Sequence, residues 1–121
     1  MKCNVVLDNG KKDGRFTSAG DLNFGPDGFA VFYEIDGDKC LFTYTNGSVM
    51  QERRGSVHLI MRFTMGAETF CTIVTGEGSG DFPVYTDKIQ VINDEKSVQV
   101  KLVYTCACEN IKLDLTAKAK E

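Results

Sequence analysis

The 121-residue sequence predicts an all-β fold, an antiparallel up-and-down meander of about eight to ten strands closed into a barrel. Three observations predict it. Turn-forming residues recur at even distances along the whole chain. The stretches between them alternate apolar and polar residues with period two, as half-buried strands do. No window carries apolar residues at the i, i+3, i+4 and i+7 spacing of an amphipathic helix, and β-branched and aromatic residues dominate instead.

The turn signals run from Asn9-Gly10 through Asp13-Gly14, then Gly25-Pro26-Asp27-Gly28, Asp36-Gly37-Asp38 and Asn46-Gly47. They continue with Arg54-Gly55-Ser56, Met65-Gly66, Gly76-Glu77-Gly78-Ser79-Gly80, Asn93-Asp94-Glu95-Lys96 and Glu109-Asn110. These nine turns leave ten segments. Asn46-Gly47 is the sharpest signal, because both residues tolerate the positive φ that a type I′ hairpin demands.

The segments sort their residues onto two faces. Phe29, Val31, Tyr33 and Ile35 share one, and Val57, Leu59, Met61 and Phe63 share another, opposite His58, Arg62 and Thr64. Further on, Asp81-Phe82-Pro83-Val84-Tyr85 reads as a strand. Val98, Val100, Leu102, Tyr104, Cys106 and Cys108 then point one way, with Gln99, Lys101, Val103, Thr105 and Ala107 opposite. In the last segment Ile111, Leu113, Leu115, Ala117 and Ala119 oppose Lys112, Asp114, Thr116, Lys118 and Lys120. An open sheet of such strands would leave two unpaired edges, and closure removes both. Barrels of this size can leave room for one small ligand. A side-chain-filled barrel and a flattened sandwich are the alternatives.

Length and composition bound the rest. The chain fits one domain, 1–121, since domains typically hold about 100–150 residues. Its 14 Lys and Arg against 17 Asp and Glu give a net charge of -3, which argues against nucleic acid as a partner. The apolar run Val5-Val6-Leu7 is too short for a signal peptide or a membrane span. Five cysteines, an odd number at irregular spacing, suit free thiols in a reducing cytoplasm.

Each candidate chemistry competes with a plainer reading. Cys106-Ala107-Cys108 would place two sulfurs on one strand face, but a closed zinc site needs four ligands and His58 is the one histidine. Two buried apolar cysteines are expected there. His58 stands on a polar face without a nucleophile or an orienting carboxylate in the local sequence, so a solvated histidine is expected. The glycine-rich segment lacks the Gly-Lys-Ser/Thr and the helix of a P-loop, and reads as a hairpin loop. One of Arg53 and Arg54 should face the interior, since neighbours on a strand point to opposite faces. That arginine could hold a carboxylate or phosphate through its planar fork, or pair with Glu52 or Glu68 at the barrel end. The aromatics Phe16, Phe24, Phe29, Phe42, Phe63, Phe70, Tyr33, Tyr44 and Tyr104 are expected to be mostly core, because no basic groove accompanies them.

Arg54-Gly55-Ser56-Val57, then Met61-Arg62-Phe63-x-x-Gly66, then Thr75-x-x-Gly78 leading to Val84-Tyr85-Thr86, and finally Leu102-Val103-Tyr104 stand in a telling order. In that order and spacing, from about Gly20 onward, the chain resembles the YwiB-like family of small bacterial proteins of unknown function. The resemblance implies a calycin-like, lipocalin-like barrel and no established activity. Relatives carry an aromatic ahead of the threonine and a Pro-aromatic pair after it, where this chain has Ile73, Gly76 and Glu77. A more open or more polar mouth is the expected consequence. The chain also lacks the Gly-x-Trp of true lipocalins, having no Trp.

The reading that follows is a non-enzymatic, cytoplasmic barrel binding a small or extended ligand in its interior or at an open end. Its candidate contacts are Arg54, Arg62, Tyr85 and Tyr104, with no catalytic residue, metal or cofactor and no membrane partner. The alternative is an interaction module, a homodimer or adaptor, using an outer patch around Ile60, Ile73 and Val103.

Overall fold

The computed structural model describes residues 1–120. Ten strands follow in order: β1 (Lys2–Asp8), β2 (Arg15–Gly25), β3 (Gly28–Ile35), β4 (Asp38–Thr45), β5 (Ser48–Arg54), β6 (His58–Thr64), β7 (Glu68–Thr75), β8 (Gly78–Asn93), β9 (Ser97–Cys106) and β10 (Glu109–Ala119). Each pairs antiparallel with the next, and β1 pairs with β10 as well as β2, so the meander closes into a barrel. No helix occurs among the described residues. The closing seam matches Val5 to Ala117 and Leu7 to Leu115, so apolar side chains meet on the inner face where the two chain ends join.

Two turns show how local chemistry sets the register. Asn46 and Gly47 take φ of 49° and 86°, the type I′ geometry expected of that pair. The β9–β10 hairpin turns two residues earlier than Glu109-Asn110: Ala107 and Cys108 occupy the positive-φ positions, at 52° and 62°. Neither is a turn former, which is why their sequence reads as continuing strand. The glycine-rich segment contracts likewise: Gly76-Glu77 makes the turn, and Gly78, Ser79 and Gly80 already pair with β7. At the β2–β3 turn Gly28 leaves room for the neighbouring strand, since a Cβ there would lie 1.7 Å from the Tyr44 carbonyl oxygen. β8 carries a bulge at Asp87, between Thr86 and Lys88, which restores the inward register for Ile89 and Val91.

The predicted inner faces hold in β3, β9 and β10. Phe29, Val31, Tyr33 and Ile35 are all buried, as are Val98 through Tyr104 at alternate positions and Leu113, Leu115 and Ala117. In β6, Met61 and Phe63 are buried and Leu59 packs against the core, whereas Val57 lies exposed in the turn before the strand. Three aromatics depart from the core reading: Phe16, Phe24 and Phe70 are exposed. Ile73, expected on the outer wall, packs against the core instead, because Cys71 and Ile73 form the inward row of β7.

The interior is not uniform along its axis. One end carries the β2–β3, β4–β5, β6–β7 and β8–β9 turns, and the other carries the β1–β2, β3–β4, β5–β6, β7–β8 and β9–β10 turns. Toward the first end Cys3, Leu22, Val31, Phe42, Val49, Phe63, Val98 and Ala117 are sealed, none more than 1% exposed. Nine other core residues keep 4% exposure or more, and seven of these (Leu7, Tyr33, Ile35, Cys40, Met61, Tyr104 and Leu113) line one cavity at the second end.

Candidate functional site in the open end of the barrel

The cavity has a volume of about 280 Å³. Its walls are mostly apolar, from Leu7, Ile35, Leu59, Met61, Tyr104, Ile111 and Leu113, and the β1–β2 loop reaches its mouth with Asn9, Lys11 and Gly14. Apolar walls interrupted by a few polar groups are the usual make-up of a small-molecule site. An outer groove by the β2–β3 turn is larger, about 370 Å³, but lies on the surface around the turn and offers Asp27 as its one charged side chain.

Four polar side chains of the cavity come from the consecutive strands β3, β4 and β5. In β5, Val49, Gln51 and Arg53 share the inward row, which carries a glutamine and an arginine into the cavity behind a buried valine. Arg53 Nε donates to Asp38 Oδ2 at 2.7 Å, tying the rim of β5 to the start of β4. Cys40, directly opposite Arg53 in the β4–β5 register, is buried, and burial pushes its thiol up. Opposite Cys40 on β3 stands Tyr33. It is 4% exposed, and its hydroxyl is buried with no hydrogen-bond partner among the described residues. Burial pushes its pKa up to about 12; the Gln51 side chain beside it offsets part of that rise, though their contact falls short of hydrogen-bond geometry. The phenol therefore stays protonated and keeps a donor to offer.

The four candidate contacts are distributed unevenly. Tyr104 lies inside, lining the cavity with its ring centroid 4.8 Å from that of Phe63. Arg54 is exposed and reaches Glu52 at 3.4 Å. Arg62 and Tyr85 are exposed on the outer wall, Arg62 opposite Met50 of β5 and Tyr85 opposite Glu68 of β7. The structure thus brings Tyr104 together with Tyr33, Gln51 and Arg53, and leaves Arg54, Arg62 and Tyr85 outside the cavity. Parity could have distinguished the two arginines, since Val49 marks the inner row and Arg53 is in phase with it. Tyr33 sits within the face read as core, where no sequence signal separates a packed tyrosine from one beside a cavity.

Two further candidates change character. His58 does have a carboxylate partner: Glu52 Oε2 lies 2.8 Å from its Nε2, reached diagonally across β5 and β6 rather than along the chain. Its ring stays on the outer face, while Cys71 packs within the core and Cys106 against it. Cys106 is half-buried and Cys108 exposed, so the expected pair of buried sulfurs is split by the turn at Ala107-Cys108. Among the described residues no group of three or more His, Cys, Asp or Glu side chains is placed to hold a metal ion, and no helix is long and apolar enough to cross a membrane.

Comparison with known proteins agrees with the architecture. A crystal structure of the ywiB protein from Bacillus subtilis is 21% identical and superposes with a TM-score of 0.80, covering 99% of this chain and 91% of that one. At that identity the likeness speaks for the barrel alone. No curated protein matches. The family described as "Domain of unknown function (DUF1934)" matches residues 2–114, nearly the whole barrel from β1 into β10, and the chain belongs to that family.

Proposed function

We propose that this protein is a non-enzymatic binding barrel, cytoplasmic and calycin-like in its use, that holds a small molecule in the cavity at its open end. One observation carries the reading: the Tyr33 hydroxyl is buried beside that cavity without a partner. A buried polar group left unpaired costs about 1–3 kcal/mol, and such groups are rare unless something supplies the missing bond. The residual exposure of the residues around it supports the same reading, because this end of the core is lined rather than filled. Of the contacts expected from sequence, Tyr104 belongs to this site, and Tyr33, Gln51 and Arg53 join it. The test is a fragment screen by 1H–15N NMR on the labelled protein. Binders should shift the amides of Tyr33, Gln51, Met61 and Tyr104 together; a screen whose hits all map to the outer wall would end the proposal.

Self-association through the outer wall is a second reading. Phe70 and Tyr85, 51% and 45% exposed, flank Pro83 on neighbouring strands and make an apolar patch beside the half-buried Val103. Sedimentation at rising concentration tests it, and a single monomeric species throughout removes it.

A further inference from the structure

The cavity's polar groups define what it can hold, given that the site is the one proposed above. Arg53, which would otherwise select an anion, is neutralised by Asp38 at 2.7 Å. Lys11 at the mouth is paired with Glu109, drawing the β1–β2 loop onto the β9–β10 hairpin. Glu52, at the rim with its carboxylate turned to the outer wall, is engaged by both His58 and Arg54. Every charged side chain of the lining therefore already has a partner of opposite sign, and none is left to compensate a ligand's charge. An ion entering would lose its hydration and gain no counter-charge, a loss that only pairing recovers. The unmet demand is a single neutral group, the Tyr33 hydroxyl. Its titration near 12 keeps it a phenol at any physiological pH. The volume, about 280 Å³, lies just below the range of about 300–1,000 Å³ usual for ligand sites, which limits the occupant to roughly one ring with a short substituent.

We infer that the cavity takes a compact, uncharged, largely apolar molecule bearing one hydrogen-bond acceptor, a ketone, ester or amide carbonyl, that accepts from the Tyr33 hydroxyl. The apolar body lies against Leu59, Met61, Ile111 and Leu113, and Tyr104 closes one side. This rests on the binding reading, and the two fail differently.

The experiment titrates the full chain with four matched probes, acetophenone, toluene, benzoate and benzylamine, following the same amides by NMR. Acetophenone should bind best, with benzoate and benzylamine at least about tenfold weaker, the ratio that about 1.4 kcal/mol sets. Tyr33→Phe should weaken acetophenone about five- to tenfold, the worth of one neutral hydrogen bond, and leave toluene unchanged. Toluene binding also reports that the variant's cavity is intact. Benzoate or benzylamine binding as tightly as acetophenone would overturn the neutral class while leaving the site standing. An unchanged acetophenone affinity in Tyr33→Phe would overturn the role of the hydroxyl. No perturbation of the cavity amides by any probe, toluene included, would overturn the site and the class together.

Discussion

Met61 and Phe63 are two residues apart on the inner row of β6, yet they belong to different halves of the barrel. Phe63 is wholly sealed, against Tyr104 and within reach of Val49, its partner across β5. Met61 keeps 9% exposure and faces the cavity. The same alternation built both positions; what differs is whether neighbouring side chains meet across the axis. Large rings such as Phe42 and Phe63 fill the far half, whereas at the open end an arginine, a glutamine and a tyrosine occupy inward positions. A barrel that packs one half and lines the other holds its fold with the first and is free to vary the second.

The strongest way to break that comparison is to truncate both residues. Phe63→Ala should cost about 3–5 kcal/mol, because it opens a void in a region with no slack. Met61→Ala should cost about 2 kcal/mol, the low end for its class, since part of its surface already borders open volume. Urea denaturation of the two variants checks this, provided the slopes match. Equal losses would mean that the open end is packed as firmly as the sealed one.

Turn chemistry gives a narrower contrast between two single hairpins, since Asp36-Gly37 at the open end is as well suited as any at the sealed one. Asn46-Gly47, at the sealed end, places residues suited to left-handed backbone where they are needed. Ala107-Cys108, at the open end, holds two side chains in a conformation that costs ordinary residues roughly 1–2 kcal/mol each. Replacing them by the same pair, Ala107→Asn with Cys108→Gly, should stabilise the protein by about 1–2 kcal/mol, read as a higher urea midpoint. A neutral result would show that the hairpin is held by its extended ladder with β9, whatever its turn.

These turns also show what could be read from sequence. The meander and its closure follow from features that act within a few residues: eight of the nine turns carry Gly, Asn or Asp where the chain reverses, and the strands alternate between them. The ninth was displaced because Ala107 and Cys108 adopt positive φ with no residue that favours it. The site was less legible because it depends on what meets across the barrel. Alternation placed Tyr104 inside and required one inward arginine, and the register chose Arg53 over Arg54. The Glu52–His58 pair needed the offset between β5 and β6, and the unpaired Tyr33 hydroxyl needed the positions of everything around it.

A second orphan hydroxyl sharpens the contrast. Thr86 on β8 is fully buried and its Oγ1 has no partner among the described residues, like the Tyr33 hydroxyl, but it does not line the cavity. In a sealed region the hydroxyl is simply a cost, so Thr86→Val, which keeps the shape, should stabilise by about 1 kcal/mol in the same denaturation assay. A loss instead would reveal a hydrogen bond to a bound water, and so a second polar pocket within the packed half.

The smallest expected effect lies at the rim, where the open end meets solvent. The Glu52 carboxyl is held below its ordinary value, first by the hydrogen bond with His58 and then, against the opposing cost of burial, by Arg54. A carboxyl whose pKa falls on folding contributes stability that is present above its unfolded value, near 4.5, and lost as the pH drops through the folded one. Wild type should therefore lose stability faster than Glu52→Gln on acidification below about pH 5. The gap should stay under about 1 kcal/mol, as partly exposed ion pairs rarely exceed that. Urea midpoints taken from about pH 6 down to about pH 3 measure it. Because the pair lies on the outer wall of β5 and β6, the amides of Val98 and Phe42 should not respond, and those of Arg53 and Leu59, its neighbours in the chain, should. Parallel pH profiles for the two proteins would mean that the Glu52–His58 contact does not stabilise the rim, and that the mouth is held by Arg53–Asp38 and Lys11–Glu109 instead.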